Sequence, residues 1–132
     1  MKRTLQLIAC VISAPLIYGL LCLPLLGMFL NLFPAQLNEW GGTFDVPLVL
    51  GVEAIQALII FLGGVTIALI AGGDSWARIC LLATTVDMLL IGVSVQRQYW
   101  ESMPVWHHWV FFALIVTCLP AGWLMVNRMR SA

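Results

Sequence analysis

Charge is what this chain has least of: Asp, Glu, Lys and Arg together make up 9% of its 132 residues, and the formal net charge is +0. A soluble domain of this size would carry roughly a quarter charged residues, so this scarcity excludes one. It also excludes a basic surface of the kind that holds nucleic acid. The four cysteines, Cys10, Cys22, Cys80 and Cys118, include no CxxC pair and share no loop or helical face with the histidines. Zinc ligation is therefore not expected, no cofactor is implied, and each thiol reads as a small apolar core residue. No polar stretch is long enough to form a domain outside the membrane.

Apolar sequence is abundant: 62% of residues are hydrophobic and the mean hydropathy is +1.02. At roughly 20 residues per crossing, the length allows about four transmembrane helices and little else. The whole chain, 1–132, reads as a single all-α transmembrane domain, an integral membrane four-helix bundle. Helices are expected over about 5–33, 44–71, 76–95 and 105–126, divided by the turn signal Gly72, Gly73, Asp74, Ser75 and by polar residues around Gln96 to Pro104. The short turn makes the second and third helices an antiparallel hairpin.

Basic residues set the expected orientation. An even number of crossings puts both termini on the side of Arg78, together with Lys2, Arg3, Arg128 and Arg130, against Arg97 alone on the other side. The positive-inside rule then places both termini in the cytoplasm of a cell inner (plasma) membrane. Trp40, Tyr99, Trp100, Trp106 and Trp109 gather at the opposite boundary like an aromatic belt. Lys2 and Arg3 before an apolar run resemble a signal peptide, but the run continues to a full crossing. The Leu7–Cys10 tetrad comes too early to be a lipidation site, so no cleavage is expected.

Two carboxylates, Glu53 and Asp87, lie inside apolar segments, and no Lys or Arg lies at comparable depth. Such groups are costly in lipid and usually functional. Glu53 and Gln56 share a helical face that Ile60, Gly63 or Gly64, and Ile67 continue. On the third helix, Cys80, Thr84, Asp87, Ile91, Ser94 and Gln98 make a weakly polar stripe expected to face inward. With a rise of about 1.5 Å per residue, Glu53 lies roughly 9 Å below Pro47 and Asp87 roughly 13 Å below Gln96, in the same half of the bilayer. His107 and His108 lie above them, and Arg97 could bend inward toward Glu53 or the histidines. The candidate ligand- or partner-binding residues are thus Glu53, Gln56, Asp87, Arg97, His107 and His108. Adjacent histidines point about 100° apart on a helix and cannot both ligate one haem.

The acids have three outcomes open: protonation, a bound cation or carried proton, or a Lys or Arg from another subunit. A neutral structural hydrogen bond is the alternative to all three, and the histidines could simply face headgroups and water. Small residues spaced like Gly64 and Ala68 allow close packing, within the chain or between chains.

This layout, with Gly51 and Glu53 early in the second helix, a Gly-rich stretch after it and Asp87 in the third, resembles the small DoxX-like membrane proteins over roughly residues 44–97. The resemblance implies a four-helix membrane fold and no assigned activity. A basic residue would be expected beside the second-helix acid in some such families, whereas Val52 and Ala54 flank Glu53 here. The expected function is an accessory or assembly subunit of a larger membrane complex, partnered by other membrane subunits or by self-association within the bilayer. The alternative is a proton- or cation-linked bundle that binds or transports a small molecule or lipid through Glu53 and Asp87. An enzyme acting on a lipidic substrate is less supported, because no nucleophile and base stand at recognisable spacing.

Overall fold

The computed structural model describes residues 2–132. Among them are four long helices and no strand: α1 Lys2–Asn31, α2 Val46–Ala71, α3 Ser75–Gln98 and α4 Val105–Ser131. Each is long and apolar enough to cross a membrane.

The ends follow from local chemistry. Asp45 caps α2 by accepting from Leu48 N at 3.1 Å, and Asp74 caps α3 by accepting from Ala77 N at 3.0 Å. Gly72 ends α2 with φ of 81°, a conformation that favours glycine. Hydropathy marks where apolar sequence stops, which is not where the backbone stops being helical. α1 therefore begins at Lys2 and α4 runs to Ser131, both beyond the expected limits. Arg128 and Arg130 suit the last turn of α4, where cations meet the negative end of the helix dipole.

α1 is interrupted once. Tyr18–Cys22 forms a π-helical turn between Pro15 and Pro24. A proline cannot donate to the helical ladder, and a wider turn before it is one way for the helix to absorb the missing bond.

The helices form a ring in the order α1, α2, α4, α3. α2 packs most extensively on α4, α1 lies against α2 and α3, and α3 against α4. The turn at Gly72–Asp74 does join antiparallel helices, but α2 and α3 lie diagonally across the bundle, with few contacts between them. The expected hairpin is thus one of connection and not of packing. Both termini and that turn lie at one end, the terminus side; segments 32–45 and 99–104 lie at the other, the loop side.

α2 and α4 approach at Gly64 and Gly122. A β-carbon on Gly64 would collide with the Leu119 carbonyl, and one on Gly122 with the Phe61 carbonyl. Gly64 and Ala68 are buried, so this small-residue contact is internal to the bundle. Arg130 Nη1 donates to Ala68 O at 2.8 Å and Gln6 Nε2 to Ile70 O at 3.4 Å, serving carbonyls in the last turn of α2.

Candidate functional site

α2 turns one face inward: Glu53, Gln56, Ile60, Gly63, Gly64 and Ile67 are all buried. This is the face the sequence spacing defines. Glu53 is 7% exposed and Gln56 3%, both in the loop-side half of the bundle.

Glu53 meets His107 from the start of α4. His107 Nδ1 and Glu53 Oε1 are hydrogen-bonded across 2.6 Å. The partner of Glu53 is therefore a histidine on the neighbouring helix, not a Lys or Arg.

His108 points the other way, as adjacent residues on a helix must. Its Nδ1 pairs with the side-chain oxygen of Gln96 on α3, and its Nε2 lies 3.3 Å from Trp100 O. The Trp100 indole stacks on the ring at 4.4 Å between centroids, and the two imidazoles meet edge to face at 5.3 Å. His107 is 3% exposed and His108 1%, so neither faces headgroups or water. That corrects the interfacial alternative considered for both. Their position near the helix start puts them at the loop side, but the loops close over them.

Two further groups complete the cluster. Gln56 Nε2 donates to Tyr18 Oη at 3.2 Å, and Tyr18 stands in the π turn of α1, packed edge to face on Phe111. Two acceptors remain without partners although fully enclosed: Glu53 Oε2 and Gln56 Oε1. Beside Gln56 is a cavity of about 290 Å³, with Tyr18, Gln56, Gln96 and His107 among its polar lining and Leu26, Val52 and Met103 among its apolar lining; Glu53, bonded to His107, is not part of its wall.

The cavity is roofed by the two loops, and Asn38 ties them together. Its Oδ1 accepts from Trp40 N at 3.1 Å and Gly42 N at 3.0 Å, while its Nδ2 donates to Ser102 O at 2.8 Å. Thr43 N reaches Met103 Sδ at 3.5 Å, fastening the same seam.

Two candidate residues stand apart. Asp87 is half-buried in the middle of α3 and makes no hydrogen bond or ion pair with any described residue. Arg97 is exposed beside Trp40 and Glu101 at the loop rim and does not turn inward. The expected convergence of four ionisable groups is thus a pair, Glu53 with His107, with His108 adjacent and Asp87 outside. The reason lies in the helical step. From Thr84 the buried stripe of α3 continues by fours through Met88, Gly92 and Gln96, not by threes and fours through Asp87, Ile91, Ser94 and Gln98.

Sequence reasoning missed Tyr18, Gln96 and the stacking of Trp100. Tyr18 carried a readable signal, since a tyrosine deep in an apolar run must find a partner for its hydroxyl. In sequence Gln96 reads as a helix-ending polar residue, and its burial depends on the rotation of α3.

Glu53 and His107 offer a metal only two donors, both nitrogens of His108 are engaged, and among the described residues no third His, Cys, Asp or Glu joins such a group. Compared with known protein families, curated proteins and solved structures, the chain matches none. Fold and site together define a class: an all-helical protein with four membrane-spanning-length apolar helices and a buried acid–imidazole pair beside a cavity.

Proposed function

We propose that this protein binds a neutral, hydrogen-bond-donating small molecule within the membrane, using Glu53, His107 and Gln56. One observation carries the reading: Gln56 Oε1 is an enclosed acceptor without a donor, on a side chain more than nine-tenths buried that lines a cavity, and Glu53 Oε2, likewise without a donor, lies directly behind His107 of the same wall. An orphaned buried polar atom costs about 1–3 kcal/mol, and a ligand hydroxyl aimed at it removes that cost. Because Glu53 Oε1 is already hydrogen-bonded to His107, a neutral donor is better supported than an amphiphilic cation. The hydrogen bond of the pair keeps proton-linked binding or transport within the proposal, with Glu53 and not Asp87 as its centre.

Phenol is a suitable probe, being a neutral ring with one hydroxyl. In native mass spectrometry of the full chain, Glu53→Gln and Gln56→Leu should each weaken phenol binding at least about tenfold, while Asp87→Asn leaves it within about twofold. Unchanged binding in both site variants would count against the proposal.

A second reading, an accessory subunit of a larger inner-membrane complex, is favoured by Asp87, which has no partner in the middle of α3. A lone acid there is a natural contact for a basic or hydrogen-bonding side chain of a neighbouring subunit. Purification in mild detergent separates the readings. A stable monomer or homodimer with no companion protein argues against the accessory role. For orientation, Lys2, Arg3, Arg78, Arg128 and Arg130 at the terminus side support cytoplasmic termini. The layout shared with DoxX-like proteins adds no residue role to either reading.

A further inference from the structure

The π turn in α1 has a consequence for how a ligand could enter. On its terminus side, Lys2–Ile17 packs along α3; beyond it, Leu23–Asn31 lies against α2 and makes almost no backbone approach to α3. Phe29 of that outer half packs so tightly on Gly51 of α2 that a β-carbon there would meet the ring. α1 and α3 therefore part on the loop side of Tyr18–Cys22.

The cavity beside Gln56 and His107 adjoins a groove of about 210 Å³ between α1 and α3, with Tyr18, Leu23 and Val95 in the walls of both. Apart from Tyr18, every residue lining that groove is apolar or glycine, and Phe111 of α4 forms its floor. Its rim faces outward, with Leu23 49% and Ile91 41% exposed on the surface that lipid would cover. A chamber with a few polar groups thus adjoins, at Tyr18, an apolar slot at the bundle surface.

We infer that the slot between α1 and α3 is the lateral entrance and tail seat of a single-chain amphiphile whose hydroxyl head occupies the chamber. This deepens the proposed function and rests on it. The lining sets the occupant. The head must donate to Gln56 Oε1, the orphaned acceptor in the chamber wall, next to the Tyr18 hydroxyl that accepts from Gln56 Nε2. The tail must be one flexible apolar chain. A methylene takes about the volume of a water molecule, about 30 Å³, so the slot holds on the order of seven carbons.

Gly19 makes the inference testable. It lines the slot, and a β-carbon added there meets nothing within 4 Å. Gly19→Phe therefore fills the slot from the α1 wall without touching Glu53, His107 or Gln56, and Ile91→Trp fills it from the α3 wall. Native mass spectrometry of the full chain would compare para-octylphenol with phenol. Wild type should bind the octyl compound more tightly, and both slot variants should weaken it at least about tenfold while leaving phenol within about twofold. Unchanged octylphenol binding in both variants overturns the tail seat, as does equal weakening of both probes, which denies the tail a place of its own. An octyl chain that adds nothing in wild type, with phenol still lost in Gln56→Leu, sinks the tail inference alone. Failure of wild type to bind either probe sinks the hydroxyl reading itself.

Discussion

Glu53 and Asp87 look alike in sequence, and the structure gives them opposite situations. Glu53 is enclosed and bonded to His107; Asp87 is half-buried and unbonded within the described chain. Removing one member of a buried pair strands the other. Glu53→Ala should therefore cost about 3–5 kcal/mol, whereas the double change Glu53→Leu with His107→Leu should recover most of that loss. A double-mutant cycle on detergent-solubilised protein reads the difference as a coupling energy. Asp87→Leu carries no such penalty, and its unfolding midpoint should match or exceed that of wild type. Which acid had a partner was only half legible. The face shared by Glu53 and Gln56 follows from spacing alone, and so does the divergence of His107 from His108. The pairing itself depends on how α4 is rotated against α2, and the exclusion of Asp87 on whether α3 advances by three or by four after Thr84. A short sequence stripe fits both steps.

Among the helices, the tightest constraint is the contact between α2 and α4. Gly64→Ala should destabilise the bundle by about 1–3 kcal/mol, because its methyl meets the Leu119 carbonyl, part of the rigid backbone of α4. Gly19→Ala, at an open position on α1, should be close to neutral in the same unfolding assay. The glycine spacing of α2 was visible in sequence, but its meaning required the partner: Gly122 on α4 is the matching notch. The π turn in α1 was not legible, since Pro15 and Pro24 announce only that the helix must bend or adjust. In the loops, Asn38 makes three hydrogen bonds to the roof of the cavity. Asn38→Ala should speed amide hydrogen exchange at Trp40 and Gly42 while leaving the helices protected.

For the whole molecule, composition alone decided the class, and four apolar helices follow from it. Their ring order did not, because connection lengths say which helices are joined and not which are packed. The diagonal placement of α2 and α3 is what lets α4 sit between them and present His107 to one and His108 to the other. It also leaves α1 free to part from α3 beyond its π turn. Orientation is a separate property of the whole chain: a green fluorescent protein fused after Ala132 should fluoresce if the termini are cytoplasmic, and a dark fusion at full expression would reverse the assignment.

The central claim is that the carboxylate paired with His107 belongs to a site that receives a hydroxyl-bearing ligand. Infrared difference spectroscopy on the full chain in lipid, with and without para-octylphenol, tests it most directly. The account predicts a ligand-induced shift of a carboxyl band that disappears in Glu53→Gln and persists in Asp87→Asn. A difference spectrum with no band dependent on Glu53, recorded under conditions where the probe is bound, would contradict it.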